Sequence, residues 1–386
     1  MIQEINRLAD NIKSLLAPYG KNHNVHEPYF DKNSIGNIKK CIESSYVSTS
    51  GQYVNDFKKK LSLTIGSPRV VLTSSGTASL HLALNVIGIE DKEVLLPSMT
   101  FVATTNSIKY NLGIPHFIDV EKENVNIDSV KLEQYLKLVS VIKNNRCYNK
   151  NTKKEIKCLI LVHAFGHPAD IDKMQKICKK YYLEIVEDAA GALGSKFRSK
   201  HVGTFGRFGI ISFNGNKIIT TGMGGAIICK NSSDYKKIMH LSSTARMQHP
   251  WKIEHNQIGY NYRMANLNAS LGVSQLKSLN KFIKNKKKLH LMYLKLSKDN
   301  DLFDILENTN GNSNYWLNNL ILKPKYKKFK VKLIKRLHEN NIFVRELWTP
   351  QHMLSMYKKC ESSNLDNTID LWQRTISLPS SFYNGL

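Results

Sequence analysis

The sequence lacks the features of a secreted, metal-binding or membrane-spanning protein. Its six cysteines are scattered without a Cys-X-X-Cys pair, which argues against a zinc site and against a disulfide framework. No run approaches the roughly 20 apolar residues that a membrane helix requires. Residues 1–20 are predicted to form an amphipathic helix rather than a secretory signal. We therefore expect a cytoplasmic protein with free thiols, no bound metal and no membrane association.

Acidic residues are also scarce, which makes the chain strongly basic. Its 31 Asp and Glu residues compare with 56 Lys and Arg, a formal net charge of +25. The basic residues are spread along predicted helical faces, without the interleaved aromatic residues or arginine clusters of a nucleic-acid-binding module. We therefore expect no nucleic-acid partner, although a positive field would help to capture a small phosphate-bearing ligand.

The pattern of apolar residues predicts an α/β protein with one large and one small lobe. From residue 70 to residue 228, short apolar strands alternate with amphipathic helices. Residues 142–154 are polar and rich in Asn and Lys, and we interpret them as a mobile surface loop. A strand-like segment over 314–322 opens a small α+β lobe. We expect an N-terminal helix and arm (1–30), a large α/β domain (31–264), and connecting helices with a small domain (265–386).

One lysine lies in a distinctive context, between a short apolar run and a glycine-rich segment. In SFNGNKIITTGMGG, residues 212–225, Lys217 follows one predicted strand and precedes the next. A lysine buried in such a loop has a lowered pKa and can attack an aldehyde as a neutral amine. The alternative, on this stretch alone, is an ordinary solvated loop lysine in a lysine-rich chain.

Two further candidates follow predicted strands. A small-residue turn leads from a strand into a helix that begins near Gly76, and the free N–H groups there form a phosphate-sized anion site. An ordinary helix N-cap by Ser74, Ser75 or Thr77 is the alternative. Asp188 ends another strand, where ligands bind in open α/β sheets. An amine, a carboxylate and a phosphate site together match pyridoxal 5'-phosphate, whose ring nitrogen an ionised carboxylate keeps protonated.

Six motifs in a fixed order make the chain resemble the DegT/DnrJ/EryC1/StrS family of sugar-nucleotide aminotransferases, which are fold-type I pyridoxal-phosphate enzymes. The motifs span roughly residues 47–276 and are SSGTASLHLAL, LPSMTFVATTNSI, HAFGHPADID, EDAAGALGS, SFNGNKIITTGMGG and GYNYRMANLNASLG. The resemblance implies an aspartate-aminotransferase-like α/β fold. Its large three-layer α/β/α domain has a mostly parallel sheet, and its small C-terminal domain is α+β.

The resemblance also implies which residues hold the cofactor. It makes Lys217 the Schiff-base lysine and Asp188 the partner of the pyridine nitrogen. Gly76 and Thr77 would contact the phosphate through the backbone and a hydroxyl group, and Ser212 would add another contact. With Phe101 and Asn261, these residues form our expected cofactor-binding set of seven, in which Lys217 and Asp188 are the catalytic pair.

The resemblance implies roles for Phe101, Asn261 and Arg263, and for His352 in a weaker match, WTPQHMLSMY, beyond the six motifs. One further residue departs from the family pattern. Phe101 occupies the ring-stacking position of the family, although it could be an ordinary core phenylalanine. Asn261 would reach the neighbouring subunit's phosphate, which implies a symmetric homodimer with active sites at the interface. Arg263 and His352 are candidates for the substrate side, with structural roles as the alternative. Gly191 stands where the family commonly has a polar residue, so one cofactor contact is missing or supplied elsewhere.

The resemblance implies amino transfer, because a sister group that carries histidine in place of the lysine performs dehydration. We expect transfer from L-glutamate to the C4 keto carbon of a nucleotide-linked 4-keto-6-deoxy-hexose, in amino-sugar synthesis for surface glycans. The segments TSGQYVNDF and HPW most resemble the legionaminic acid and bacillosamine branch. A UDP-linked 2-acetamido-2,6-dideoxy-hexos-4-ulose is thus the first expectation and a GDP-linked sugar the second. The alternatives are amination at C3, dehydration, or a catalytically idle regulator with the same fold.

Overall fold

The computed structural model describes residues 1–122, 124–308 and 310–386. Within them, the two larger sheets each pack against helices. The α-helices are α1 (Ile2–Leu16), α2 (Lys32–Glu43), α3 (Gln52–Ile65), α4 (Gly76–Ile87), α5 (Val102–Tyr110), α6 (Ser129–Val139), α7 (Ile171–Lys180), α8 (Ser232–Leu241), α9 (Asn266–Lys277), α10 (Leu279–Lys298), α11 (Lys330–Glu339) and α12 (Asp366–Arg374). The strands are β1 (His23–Asn24), β2 (Val70–Thr73), β3 (Glu93–Pro97), β4 (Ile114–Ile118), β5 (Ser140–Lys143), β6 (Arg146–Asn149), β7 (Glu155–Val162), β8 (Glu184–Asp188), β9 (Lys196–Phe197), β10 (Lys200–His201), β11 (Phe208–Ser212), β12 (Gly225–Cys229), β13 (Phe303–Ile305), β14 (Asn318–Leu322), β15 (Ile342–Phe343), β16 (Arg345–Glu346) and β17 (Thr375–Leu378).

The larger sheet has nine strands and is mostly parallel. Its main path runs β2-β12-β11-β8-β7-β3-β4, and the hairpin of β5 and β6 joins it beside β7. Strands β4, β3, β7, β8 and β11 are parallel to one another, whereas β12 is antiparallel to both of its neighbours. Strands β2, β11 and β12 are buried along their whole length, which suits their near-continuous apolar sequences.

Helices lie on both faces of this sheet and produce three layers. One face packs against α3, α6, α7 and α9 through residues such as Phe57, Met174 and Val273. The opposite face packs against α4, α5 and α8 through residues such as Leu84 and Ile108. Alternating strands and helices give this arrangement because each helix carries the chain back across a face of the sheet to the edge where the next parallel strand begins. The predicted α/β/α fold class is confirmed.

The interpretation of residues 142–154 as a mobile surface loop is wrong. Strands β5 and β6 form an antiparallel hairpin here, and β6 pairs with β7. The turn consists of Asn144 and Asn145, whose φ angles of 50° and 57° are those that a tight two-residue hairpin turn requires. The side-chain amide of Asn149 donates to the buried Glu93 carboxylate at 3.0 Å. The polar composition therefore reflects a turn and a buried hydrogen-bond network.

The smaller sheet has four antiparallel strands in the order β13-β14-β17-β16. Its core contains Leu289 of α10 and Leu333 of α11, together with Ile5 and Leu8 of α1. Strand β1 pairs in parallel with β15, so the N-terminal helix packs into the C-terminal lobe. The strand predicted over 314–322 begins only with β14, because φ of 53° at Tyr315 is incompatible with a regular strand.

The cysteines behave as small apolar core residues. All six thiols are free, as expected, and every one except Cys360 is buried. Burial raises the pKa of the Cys229 thiol to about 12, so this group is protonated at neutral pH. In a separate observation, no helix among the described residues is both long enough and apolar enough to cross a bilayer.

Candidate active site

A cavity of about 670 Å³ opens between the larger sheet and the small lobe. It lies at the carboxyl ends of the parallel strands, where the polypeptide passes from strand to loop and leaves side chains and backbone groups exposed. Its volume is within the range of roughly 300–1,000 Å³ typical of small-molecule sites. Six of the predicted cofactor-site residues line it, namely Gly76, Thr77, Phe101, Asp188, Ser212 and Lys217.

The first turn of α4 and the end of β11 form one corner of the cavity. Ser75 caps α4, since its hydroxyl group accepts from the backbone N–H of Ala78 at 3.0 Å. A Cβ atom on Gly76 would lie 3.0 Å from Cβ of Ser212, and one on Gly225 would lie 2.5 Å from the carbonyl carbon of Ser75. The absence of these side chains lets the helix start, β11 and β12 approach closely. The N–H groups and dipole of the helix start then suit an anion the size of a phosphate.

Asp188 presents a buried carboxylate at the end of β8. Its Oδ2 atom accepts from the Thr104 hydroxyl group at 2.6 Å, and its Oδ1 atom accepts from the Ala190 backbone N–H at 3.1 Å. The side chain is 6% exposed. A buried carboxylate that accepts hydrogen bonds but forms no ion pair with any described residue is a suitable partner for a positively charged ligand group.

Lys217 lies in the loop between β11 and β12, where its side chain is partly buried. Burial lowers the pKa of Lys217 to about 8, while the negative charge of Asp188 acts in the opposite direction. Its Nζ atom lies 3.7 Å from the centre of the Trp316 ring. The environment is therefore that of an amine enclosed within a cavity, and it differs from that of a solvated loop lysine.

Phe101 immediately precedes α5 and leaves much of its ring accessible from the cavity. Its side chain is 53% exposed, which is unlike a core phenylalanine. The ring centre lies 6.3 Å from that of Trp348, which stacks on Phe165 at 4.8 Å. An exposed aromatic face in an otherwise enclosed site can stack on a flat ligand ring.

Three of the predicted residues do not line the cavity. Asn261 is exposed and forms a backbone bridge with Ser243. The guanidinium group of Arg263 lies 3.5 Å from the Met239 sulfur, and Nδ1 of His352 lies 2.7 Å from the Ser98 hydroxyl group. The substrate roles of Arg263 and His352 stay predictions, as does the contact of Asn261 with a neighbouring subunit.

The sequence did not point to four residues that line the cavity. Thr104 lies inside a quoted motif, where its spacing from Phe101 on a helix was the available signal. His26, Trp316 and Arg345 come from the N-terminal arm and the small lobe, far from any motif. The Nδ1 atom of His26 is buried and has no hydrogen-bond partner among the described residues. Burial, followed by the charges of Lys286 and Lys217, lowers the pKa of His26 well below its ordinary value.

These features fit the three reactive parts of pyridoxal 5'-phosphate. The Gly76 corner would hold the phosphate, Asp188 the ring nitrogen and Lys217 the aldehyde. Two observations make the fit specific. The helix start lies close to Ser212, and the Asp188 carboxylate forms no ion pair within the described part of the chain. The helix start and Asp188 would thus meet cofactor groups of opposite charge, and the Lys217 amine would meet the aldehyde with which it can form a bond.

Comparison with known proteins agrees with this geometry. Residues 28–383 match the DegT/DnrJ/EryC1/StrS aminotransferase family. The GDP-perosamine synthase of Escherichia coli O157:H7 is 31% identical over 359 residues, covering 92% of each chain. A UDP-4-amino-4,6-dideoxy-N-acetyl-beta-L-altrosamine transaminase of Campylobacter jejuni subsp. jejuni serotype O:23/36 (strain 81-176) is 29% identical over 352 residues, covering 90% of each chain.

The fold also matches a solved structure over most of its length. The structure of Helicobacter pylori PseC, an aminotransferase involved in the biosynthesis of pseudoaminic acid, aligns with a TM-score of 0.83 and 24% identity. The alignment covers 93% of this chain and 94% of the other. The chain therefore belongs to the DegT/DnrJ/EryC1/StrS aminotransferase family, as a sugar-nucleotide aminotransferase that depends on pyridoxal phosphate.

Proposed function

We propose that the enzyme transfers the amino group of L-glutamate to the C4 keto carbon of a nucleotide-linked 4-keto-6-deoxy-hexose, in amino-sugar synthesis for surface glycans. The observation that carries this proposal is the meeting of Lys217, Asp188 and the Gly76 corner in one cavity. The cavity continues past them to the small lobe, which leaves space for a second ligand beside the cofactor.

Each residue has a separate chemical task in this proposal. The bound cofactor supplies an electron sink for the negative charge that develops on the Cα atom of the amino donor. Lys217 takes the proton from that carbon, and a pKa of about 8 leaves part of the population neutral near physiological pH. Asp188 holds the proton on the ring nitrogen, and Thr104 orients the carboxylate that does so.

The nucleotide and the sugar are the finer part of the proposal. Motif resemblance supports a UDP-linked 2-acetamido-2,6-dideoxy-hexos-4-ulose, and one relative is named for a UDP-linked amino sugar. The relative named GDP-perosamine synthase supports a GDP-linked sugar as the second candidate. The formal charge of +25 suits either anionic diphosphate.

We further propose a cytoplasmic homodimer in which Asn261 completes the neighbouring subunit's site. The free cysteines support a reducing compartment. Asn261 is exposed and does not reach the cavity of its own chain, which is what a contact across a symmetric interface requires.

Absorption spectra test the role of Lys217. We expect the purified enzyme to show the near-visible band of a lysine-bound cofactor and to lose it when L-glutamate is added. Lys217→Ala and Lys217→Arg should lack the band, although Arg keeps the charge. A spectrum of Lys217→Ala identical to that of the wild type would refute the assignment.

A substrate panel tests the sugar and the position of amination. The enzyme, L-glutamate and UDP- or GDP-linked 4-keto and 3-keto sugars would be incubated, and the products identified by mass spectrometry and NMR. We expect a C4 amine on one of the 4-keto sugars. A C3 amine, or loss of water without nitrogen transfer, would support the alternative reactions. A glutamate response with no aminated sugar would support neither.

Mixed dimers test the contact of Asn261. Lys217→Ala and Asn261→Ala subunits should each be inactive as homodimers, since every site lacks one residue. After random exchange of subunits, about one quarter of the sites would hold both residues in the proposed symmetric arrangement. Recovery of activity on mixing supports the proposal, and its absence in verified mixed dimers would contradict it.

A further inference from the structure

The indole ring of Trp316 is fixed directly against the reactive lysine. Trp316 is 4% exposed, and its Nε1–H donates to the carbonyl oxygen of Asn216 at 2.7 Å. The Nζ atom of Lys217, the next residue, lies 3.7 Å from the ring centre. The ring is thus hydrogen-bonded to the same loop that carries the amine it faces.

Gly191 makes the space that this ring occupies. A Cβ atom at position 191 would lie 2.3 Å from Cε3 and 2.6 Å from Cζ3 of Trp316. These distances are far below van der Waals contact, so no side chain can stand at position 191 while the ring stays in place. The residue that departs from the family pattern is therefore matched in shape by Trp316.

The backbone of Trp316 is held as firmly as its ring. Its N–H donates to Oδ1 of Asn314 at 2.9 Å, and Nδ2 of Asn314 donates to the carbonyl oxygen of Gly191 at 2.9 Å. The carbonyl oxygen of Trp316 accepts from the buried Lys286 amine at 3.2 Å. Asn314 therefore ties Gly191 and Trp316 together, and the indole has little freedom to move away from Lys217.

We propose that Trp316 is a positioning residue for Lys217, whose ammonium group rests on the indole face whenever the lysine is not bonded to the cofactor. Trp presents the most attractive aromatic face to a cation, and the attraction is strongest where water is excluded. Holding the amine against one surface also restricts a side chain that otherwise samples many rotamers. This inference rests on the proposed role of Lys217.

The predicted consequence is a change in the acid–base behaviour of the amine. The indole face stabilises the charged form, so removing it should lower the Lys217 pKa, in the same direction as burial. Among the described residues, the other ionisable groups that interact with this amine are Asp188, at the end of β8, and His26, on the N-terminal arm. Neither is altered in the variants below, so their contributions stay constant.

The experiment measures acetylation of Lys217 as a function of pH in the full-length chain with pyridoxamine 5'-phosphate bound, so that the lysine is free. Peptide mass spectrometry gives the extent of labelling by acetic anhydride. The midpoint of the pH curve reports the pKa, whereas the plateau reports access of the reagent. Trp316→Leu keeps an apolar wall without the aromatic face, and we expect its midpoint to fall by about one pH unit.

Three further variants separate the aromatic face from other effects. Trp316→Phe retains a smaller aromatic face and should fall between the wild type and Trp316→Leu. Gly191→Ala displaces the ring and should resemble Trp316→Leu, but should add nothing in the Trp316→Leu background. Trp348→Leu removes another indole of the same cavity that stacks on Phe165, and should leave the midpoint unchanged.

The outcomes distinguish this inference from the function on which it rests. An unchanged midpoint in both Trp316 variants, or equal midpoints in Trp316→Phe and Trp316→Leu, would overturn the role of the aromatic face. Trp316→Phe keeps most of the ring volume, so it serves if Trp316→Leu fails to fold. If Lys217→Ala retains the near-visible band, the proposed function fails first. If Lys217→Ala loses the band but the midpoints of the Trp316 variants do not move, the proposed role of Lys217 stands and the proposed role of Trp316 is wrong.

Discussion

The cavity has two walls that consist of different kinds of chemical groups. The strand-end wall, consisting of Gly76, Thr77, Asp188 and Ser212, uses backbone groups and short side chains attached to the main sheet. The small-lobe wall, consisting of Trp316, Arg345 and Trp348, uses long side chains from the smaller lobe. Short groups on a buried sheet fix positions closely, whereas an exposed long side chain such as that of Arg345 can be exchanged without disturbing a core. We infer that the first wall serves the cofactor and that the second, apart from Trp316, which faces Lys217, serves the sugar-nucleotide substrate.

The largest expected effect would come from removing the charge of the strand-end wall. Asp188→Asn keeps the size of the side chain but loses the negative charge and replaces one of the two acceptor oxygens by an NH2 donor. Without the charge the ring nitrogen is not kept protonated, and we expect the turnover rate to fall about 10³-fold. Stopped-flow absorbance in the glutamate half-reaction measures it. A loss of less than tenfold would contradict the division between the walls.

The second-largest effect is expected at Gly225, whose lack of a side chain lets β12 approach the start of α4. Gly225→Ala places a methyl group 2.5 Å from the Ser75 backbone. We expect a loss of about 1–3 kcal/mol in the free energy of unfolding from overpacking, with weaker cofactor binding. Gly215→Ala is the matched control, since it lies in the loop that leads to β12 and no described atom lies within 4 Å of the new methyl group. Equal behaviour of the two variants in denaturant titrations would argue against a close-packed corner.

A smaller effect, on binding of the nucleotide sugar, is expected from a change in the small-lobe wall. Arg345 lines the cavity and forms no ion pair with any described residue, so its charge is available to a phosphate group of the substrate. We expect Arg345→Ala to raise the KM for the nucleotide sugar about tenfold and to leave the near-visible spectrum unchanged. Arg7→Ala removes the same charge from the exposed face of α1 as a control. A changed cofactor spectrum would show that Arg345 also affects the cofactor, which would contradict the division between the two walls.

The smallest effect concerns the orientation of Asp188. Thr104→Val keeps the shape of the side chain but removes the 2.6 Å hydrogen bond to the carboxylate. One such bond is worth about 1 kcal/mol net, so we expect a roughly fivefold slower half-reaction. Thr104→Ser restores the hydroxyl group and should restore the rate. If Ser and Val variants are equally slow, packing rather than the hydrogen bond determines the position of Asp188.

The same division explains how much could be predicted from the sequence. Gly76, Asp188 and Lys217 follow strands or begin a helix, so local patterns place them at one edge of a sheet. Alternating strands and helices likewise fix the three-layer fold. These features depend on neighbours in the sequence, and short motifs contain them completely.

The small-lobe wall depends instead on how two lobes pack. Nothing next to Trp316 in the sequence indicates that its ring would fill the space left by Gly191, more than a hundred positions earlier. The hairpin of β5 and β6 was missed for a related reason, because its polar residues bind the buried Glu93 carboxylate of a distant strand. Long-range partners are set by tertiary structure, which local periodicity does not encode.

The packing of α1 into the small lobe affects the order in which parts of the chain fold during synthesis. The partners of Ile5 and Leu8 include Leu333, and His23 pairs with Ile342. A ribosome adds roughly 5–20 residues per second, so the apolar face of α1 waits on the order of tens of seconds for its partners. The large domain can complete its sheet during that interval. Helix α1 is therefore buried only after the strands of the larger sheet have been made.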